Sequence, residues 1–126
     1  MVKTIVLLDT NFILTCVRQK IDFFNEINLM GIKIIIPEEV IGEIKKIKNS
    51  EQKLKYREEA EISLKLLGIK KFQTITLNEK KVDTGIVNFA KQNPDAVIAT
   101  LDRGIKSRIS NKKLIIRGKK KLEIMR

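Results

Sequence analysis

Residues 2–11 read VKTIVLLDTN: an apolar, β-branched run that stops at a single acid, Asp9. A run of that kind and length reads as a buried strand. Asp9, Thr10 and Asn11 then supply three helix N-cap residue types in a row. The arrangement recurs at residues 96–102, AVIATLD, where the apolar run ends before Thr100 and one acid, Asp102, follows. Arg103, Lys106 and Arg108 follow closely after Asp102. Two strands that each end beside one carboxylate frame the reading of the rest of the chain.

Outward from these anchors, periodicity predicts helices over Phe12–Val17 and Ile21–Leu29, with Gly31 as terminator, and a strand over Ile32–Ile36. A helix over Glu38–Lys48 places Val40, Ile44 and Ile47 on one face, and a helix over 51–67 is expected to start at a Ser50 cap and close at Gly68. In that helix Glu51–Lys55 and Glu61–Lys65 stand at favourable i,i+4 spacing. A strand over Phe72–Leu77, a helix over Glu79–Gln92, a strand over Ala96–Thr100, a helix over Arg103–Ile109 and a strand over Lys113–Arg117 complete the pattern. Leu122–Ile124 reads as an edge strand and Lys119–Lys121 as a solvated turn. Strands alternating with helices predict one α/β domain over residues 1–126, with a mostly parallel sheet of about five strands covered by helices on both faces.

Composition narrows the chemistry. The chain of 126 residues has no histidine and one cysteine, Cys16, which reads as a small core residue. Histidine-based triads, histidine zinc sites, cysteine clusters and internal disulfides are therefore excluded. No apolar stretch has the length of a membrane span or a signal peptide, so a cytoplasmic protein is expected, with no membrane partner. The net charge of +11 lies wholly in one half: residues 1–62 hold ten Lys or Arg against ten Asp or Glu, and residues 63–126 hold 16 against 5. A basic half-domain suits a polyanion, most simply nucleic acid. A solvated lysine-rich face is the plainer alternative.

Parallel α/β sheets bind ligands outside the carboxyl ends of their strands. Asp9 and Asp102 lie there. Glu43, on the helix after the second strand, and Asp83, early in the helix before the fourth, can reach the same edge. Glu39, one turn before Glu43, could assist or replace it. Four acids in one place repel one another unless a cation joins them. Mg²⁺ or Mn²⁺, which prefer oxygen donors, suits such a set and can activate water against a phosphodiester. Thr10, Asn11 and Thr100 are expected to support the acids or merely to cap helices, while Arg103, Lys106 and Arg108 meet phosphates. Each acid also has a plain structural reading. Asp9 and Asp102 would cap helices, Asp83 would favour a first helical turn, and Glu43 would pair with Lys46.

The segments LLDTNFIL (7–14), IPEEVIGEI (36–44), VDTGIVNFA (82–90) and VIATLDRGIKSRI (97–109) together resemble the PIN-domain ribonucleases, in the order of that family. The resemblance implies Asp9, Glu43, Asp83 and Asp102 as metal-binding catalytic acids, with Asn11 and Thr100 supporting them. Thr84 and Gly104 stand where many PIN domains carry further aspartates, which implies a less acidic site. Residues 99–109 are most similar to PIN nucleases of ribosomal-RNA processing. Toxin-type PIN ribonucleases with a cognate antitoxin are the second subgroup. The family often forms homodimers, and a ribosome-assembly partner is open under the first subgroup.

The expectation is a Mg²⁺- or Mn²⁺-dependent endoribonuclease. A non-catalytic RNA-binding or assembly factor with the same fold is the alternative from another class. An aspartyl-phosphate transferase is disfavoured, because Asn11 stands where a second acid would be needed.

Overall fold

A computed structural model describes residues 3–118 and 120–126, so Val2 of the first expected strand and Lys119 of the lysine run lie outside the described residues. The elements are β1 (Ile5–Leu8), α1 (Thr10–Arg18), α2 (Phe23–Leu29), β2 (Lys33–Pro37), α3 (Glu38–Lys48), α4 (Leu54–Ile69), β3 (Gln73–Ile75), α5 (Val82–Gln92), β4 (Val97–Ala99), α6 (Arg103–Arg108), β5 (Lys113–Arg117) and β6 (Lys121–Met125). One sheet joins the strands in the order β3-β2-β1-β4-β5-β6, parallel except for the β5–β6 hairpin. The expected edge strand is therefore a full sixth strand. It lies antiparallel because the turn at Gly118, with φ +63, reverses the chain at once.

Strict alternation splits the core in two. Val6, Leu8, Ile34, Ile36, Val97, Ala99 and Leu114 face one side and pack with Phe12, Phe23, Phe24, Ile27, Val40 and Ile44 of α1 to α3. Leu7, Ile35 and Ile98 face the other side, against Ile86, Val87, Ala90, Ile105 and Ile109. Neighbouring residues of one strand thus serve opposite layers, as a sheet covered on both faces requires. Among the described residues, no helix is long and apolar enough to cross a membrane.

Several expected boundaries move. Helix α4 starts at Leu54 rather than 51, and its N-cap Lys53 makes no side-chain cap bond. The Ser50 hydroxyl instead donates to the Ile47 carbonyl and accepts from Gln52 N–H, so it closes α3. Gly68 lies inside α4, which runs on to Ile69. The Glu61–Lys65 pair forms at 3.7 Å, whereas Glu51 precedes the helix and makes no ion pair among the described residues. Strand β3 ends at Ile75 and α5 begins only at Val82, because residues 76–78 turn toward α3. Gly85 is fixed by that turn. A β-carbon there would stand 2.7 Å from Leu77 Cβ, so the helical glycine lets the connector lie against α5.

One structural residue carried no signal in the sequence. Asn111, 3% exposed, places its Nδ2 within 2.9–3.1 Å of the carbonyl oxygens of Ala90, Asn93 and Ala96. It ties the end of α5 to the start of β4, and so sets where β4 delivers Thr100 and Asp102. Asn111→Ala leaves buried acceptors unpaired and should lower stability by about 1–3 kcal/mol. A drop in the urea midpoint at unchanged slope is the expected result; an unchanged midpoint would contradict this role.

Candidate active site

The chain fills β1, then β2 and β3 to one side, then crosses to β4 and β5 on the other. The switch point lies between β1 and β4, where an open parallel sheet forms a crevice at its carboxyl edge. Asp9 directly follows β1 and its N–H donates to the Ala99 carbonyl at 2.9 Å, so it extends the ladder into that crevice. A cleft of about 750 Å³ opens there. Asp9, Thr10, Asn11, Glu39, Glu43, Asp83 and Asp102 all line it. The four expected acids therefore share one cavity.

Two threonines bind the acids together. Thr10 N–H donates to Asp9 Oδ1 at 2.7 Å, and the Thr10 hydroxyl donates to Glu43 Oε1. The Thr100 hydroxyl donates to Asp9 Oδ2 at 2.8 Å and accepts from Asp102 N–H at 3.1 Å. Asp9 is 7% exposed and Thr100 fully buried. Asp102 Oδ1 accepts from Ile105 N–H at 3.1 Å, and Asp83 Oδ1 from Thr84 N–H at 2.9 Å. Both cap readings are thus correct, since Asp9 and Asp102 are the N-cap residues of α1 and α6. Capping uses part of each carboxylate and leaves acceptor capacity facing outward. Asn11 is exposed on the cleft wall and makes no side-chain bond among the described residues.

Burial pushes the Asp9 carboxyl above its ordinary 3.8; the Thr100 hydroxyl and Thr10 N–H pull it back, while the charges of Glu43 and Asp102 raise it further. None of Asp9, Glu43, Asp83 and Asp102 makes an ion pair among the described residues, so the Glu43–Lys46 pairing does not form. A buried carboxylate beside two other acids, with no ion pair to any of them among the described residues, is the donor set a hard divalent ion suits. Among the described residues no three acid or cysteine groups form a ready-made metal cage, so an ion would draw the side chains inward. The residues fit such an ion in chemistry and in common location.

One placement differs from the sequence reading, and three cations lie outside the cleft lining. Glu39 does not join the acids; both its oxygens accept from Leu77 N–H at 3.0 Å, and Oε2 also accepts from Asn78 N–H at 3.1 Å. Burial acts to raise the Glu39 carboxyl, but hydrogen bonds from Leu77, its own N–H and Asn78 outweigh it and hold it below its ordinary value. Arg103, Lys106 and Arg108 lie on α6 beyond the cleft lining, and Arg108 borders a separate depression with Ala90 and Pro94. The cations that line the cleft are Lys46, Lys80 and Lys81. The sequence held a signal for the last two, which stand just ahead of Asp83.

Because the folded-state value of Asp9 is raised, its contribution to stability is fully present below the ordinary 3.8 and is lost as pH rises through the folded value. Asp9→Asn removes that loss. In thermal melts without divalent ions, the variant should melt above the wild type at pH 7, with the gap closing as pH falls toward 3.8. A variant that melts lower at every pH would contradict the assignment.

Known proteins resemble the chain over most of its length. Residues 6–119 match the family model described as a PIN like domain. Ribonuclease VapC4 of Methanocaldococcus jannaschii is 29% identical over 122 residues, covering 92% of each chain. Among solved structures, the PIN domain endonuclease Utp24 aligns with TM-score 0.75 at 26% identity, covering 95% of this chain and 90% of that one. VapBC2 from Rickettsia felis, bound to a promoter DNA fragment, shares the fold with TM-score 0.54 at 16% identity, covering 87% of this chain and 98% of that one. With nearly its whole length matched and the acids of its four motifs brought to one cleft, the chain belongs to the PIN-like domain family.

Proposed function

We propose that this protein is a Mg²⁺- or Mn²⁺-dependent endoribonuclease that hydrolyses RNA phosphodiester bonds, with Asp9, Glu43, Asp83 and Asp102 as its acidic centre. The observation that carries the reading is the buried Asp9 carboxylate, joined through Thr10 to Glu43 and through Thr100 to Asp102, with none of these acids in an ion pair among the described residues. The likeness to a protein named a ribonuclease and to one named an endonuclease supports it.

In this reading Asp9, Asp83 and Asp102 hold the ion, and Glu43 either joins them or orients the attacking water. The ion, when bound, supplies Lewis-acid stabilisation of phosphodiester oxygens and lowers the pKa of water. The chain supplies orientation. Thr10 N–H and the Thr100 hydroxyl fix both oxygens of Asp9. The Thr10 hydroxyl holds Glu43 Oε1 and leaves Oε2 to accept a hydrogen bond from water. Arg103, Lys106 and Arg108 extend the cationic surface past the Asp102 rim for the rest of the strand. With one Tyr, five Phe and no Trp, base stacking contributes little, and binding rests on phosphates and RNA shape.

The similarity of residues 99–109 to ribosomal-RNA-processing nucleases supports that cellular setting. The likeness to a relative named VapC4 favours the toxin-type alternative, in which an antitoxin chain restrains the enzyme.

Labelled RNA incubated with Mn²⁺ should be cut by the wild type, spared in EDTA, and spared by Asp9→Asn and Asp102→Asn. Thr100→Val, which loosens Asp9 without removing it, should slow cleavage roughly 10–100-fold. Cleavage that survives EDTA and both aspartate variants would end the reading. RNA binding without cleavage under every condition would favour the assembly-factor alternative.

A further inference from the structure

The acidic centre leaves unexplained why the connector between β3 and α5 is so firmly built. Residues 76–81, TLNEKK, are polar and mostly exposed, a composition that ordinarily gives a loose loop. Here five contacts hold them. Glu39 clamps Leu77 and Asn78 by their backbone N–H groups at 3.0–3.1 Å, and the Thr76 hydroxyl donates to Glu38 Oε2 at 3.2 Å. Leu77 seats against Gly85, where even a methyl group would clash. Asn88 Nδ2 donates to Glu79 Oε1 at 3.3 Å. Asn78 takes the left-handed conformation, φ +58, which turns the chain back toward the cleft.

What this connector delivers is charge. Lys80 and Lys81 line the cleft that holds the four acids, and Lys46 joins them from α3. None of the three lysines makes an ion pair among the described residues, although acids stand in the same cavity. Gly42, between Glu39 and Lys46 in sequence, also lines the cleft, and a β-carbon there would meet nothing within 4 Å. A helical glycine costs up to about 1 kcal/mol relative to alanine, and packing gives no reason for this one. Its effect is to leave that part of the cleft lining bare.

We propose that residues 76–81 form a strap that binds the phosphate backbone of a single RNA strand through Lys80 and Lys81, with Lys46 as the third cation, and that Glu39 is its positioning residue. The idea rests on the nuclease reading for its substrate class. It assigns Glu39 to the strap and removes it from the ion-binding set. Charged groups held in place lose less freedom on binding than lysines on a loose loop, so the clamp raises affinity without touching the reacting atoms.

The test separates binding from chemistry. Affinity for a mixed-sequence single-stranded RNA is measured in EDTA over a range of salt, and cleavage is measured separately in Mn²⁺. Lys80→Ala with Lys81→Ala should weaken binding and flatten the dependence of log affinity on log salt by about 1.4, two single-strand phosphate contacts. Lys65→Ala with Lys70→Ala, an equal charge loss outside the cleft, should leave the slope near the wild type. In cleavage the strap variant should raise KM with kcat little changed. Glu39→Ala should reproduce that KM rise, and Glu39→Gln, whose carbonyl still accepts the Leu77 and Asn78 N–H groups, should largely restore it. An unchanged salt slope in the strap variant overturns the proposal. So does a Glu39→Gln protein with wild-type RNA affinity and lost kcat, the signature of an ion ligand. If no condition yields cleavage, the nuclease reading fails, and the salt slope in EDTA still decides whether the strap binds RNA.

Discussion

The fold is organised around one unfavourable event, the burial of the Asp9 carboxylate at the end of β1. Desolvation disfavours its charged form, and Glu43 and Asp102 add repulsion. Hydrogen bonds from Thr10 N–H and the Thr100 hydroxyl offset part of this and fix both oxygens. The remainder is strain of an electrostatic kind, held in place by a rigid sheet. Sites that hold clustered like charges at a stability cost are where function concentrates. The strand order makes this possible. With β2 on one side of β1 and β4 on the other, acids distant in sequence meet where the chain changes direction.

Around that centre the chain separates two tasks that sequence alone merges. Glu39 and Glu43 stand one turn apart on α3 and both line the cleft. Glu43 is tied to Thr10 and so to Asp9, whereas Glu39 is tied to a connector whose N–H groups lack a sheet partner. The first stands with the acids around Asp9 and the second in the wall of the cleft. The basic half of the chain divides similarly. The α6 cations lie beyond the rim, and the lysines before Asp83 lie within it.

Much of this was legible. Short β-branched runs alternating with amphipathic segments announced a parallel sheet with two covered faces. The alternation of Val6, Leu7 and Leu8 between two cores is that pattern realised. Acids at strand ends gave Asp9 and Asp102 their place, and the structure brings Glu43 and Asp83 to the same cavity. What periodicity does not carry is which strands are neighbours, or which backbone N–H groups lack partners. For that reason the Glu39 clamp and the Asn111 lock were invisible: each is a polar side chain answering distant carbonyl or amide groups. Ser50 misled for a related reason. A hydroxyl between two helices can cap the second or close the first, and here Ile47 lay within its reach. The α6 cations read as phosphate contacts because they adjoin Asp102 in sequence. Lys80 and Lys81 reach the cleft through the fold.

The central claim is that the carboxylates around Asp9, none of them ion-paired among the described residues, are a divalent-cation site. Crystals soaked in Mn²⁺ and measured at the manganese absorption edge test it most directly. The account predicts an anomalous peak at coordination distance, about 2.0–2.3 Å, from Asp9 and at least one of Asp102, Asp83 and Glu43. A cleft without a peak at saturating Mn²⁺, or manganese bound only at other surfaces, would contradict it.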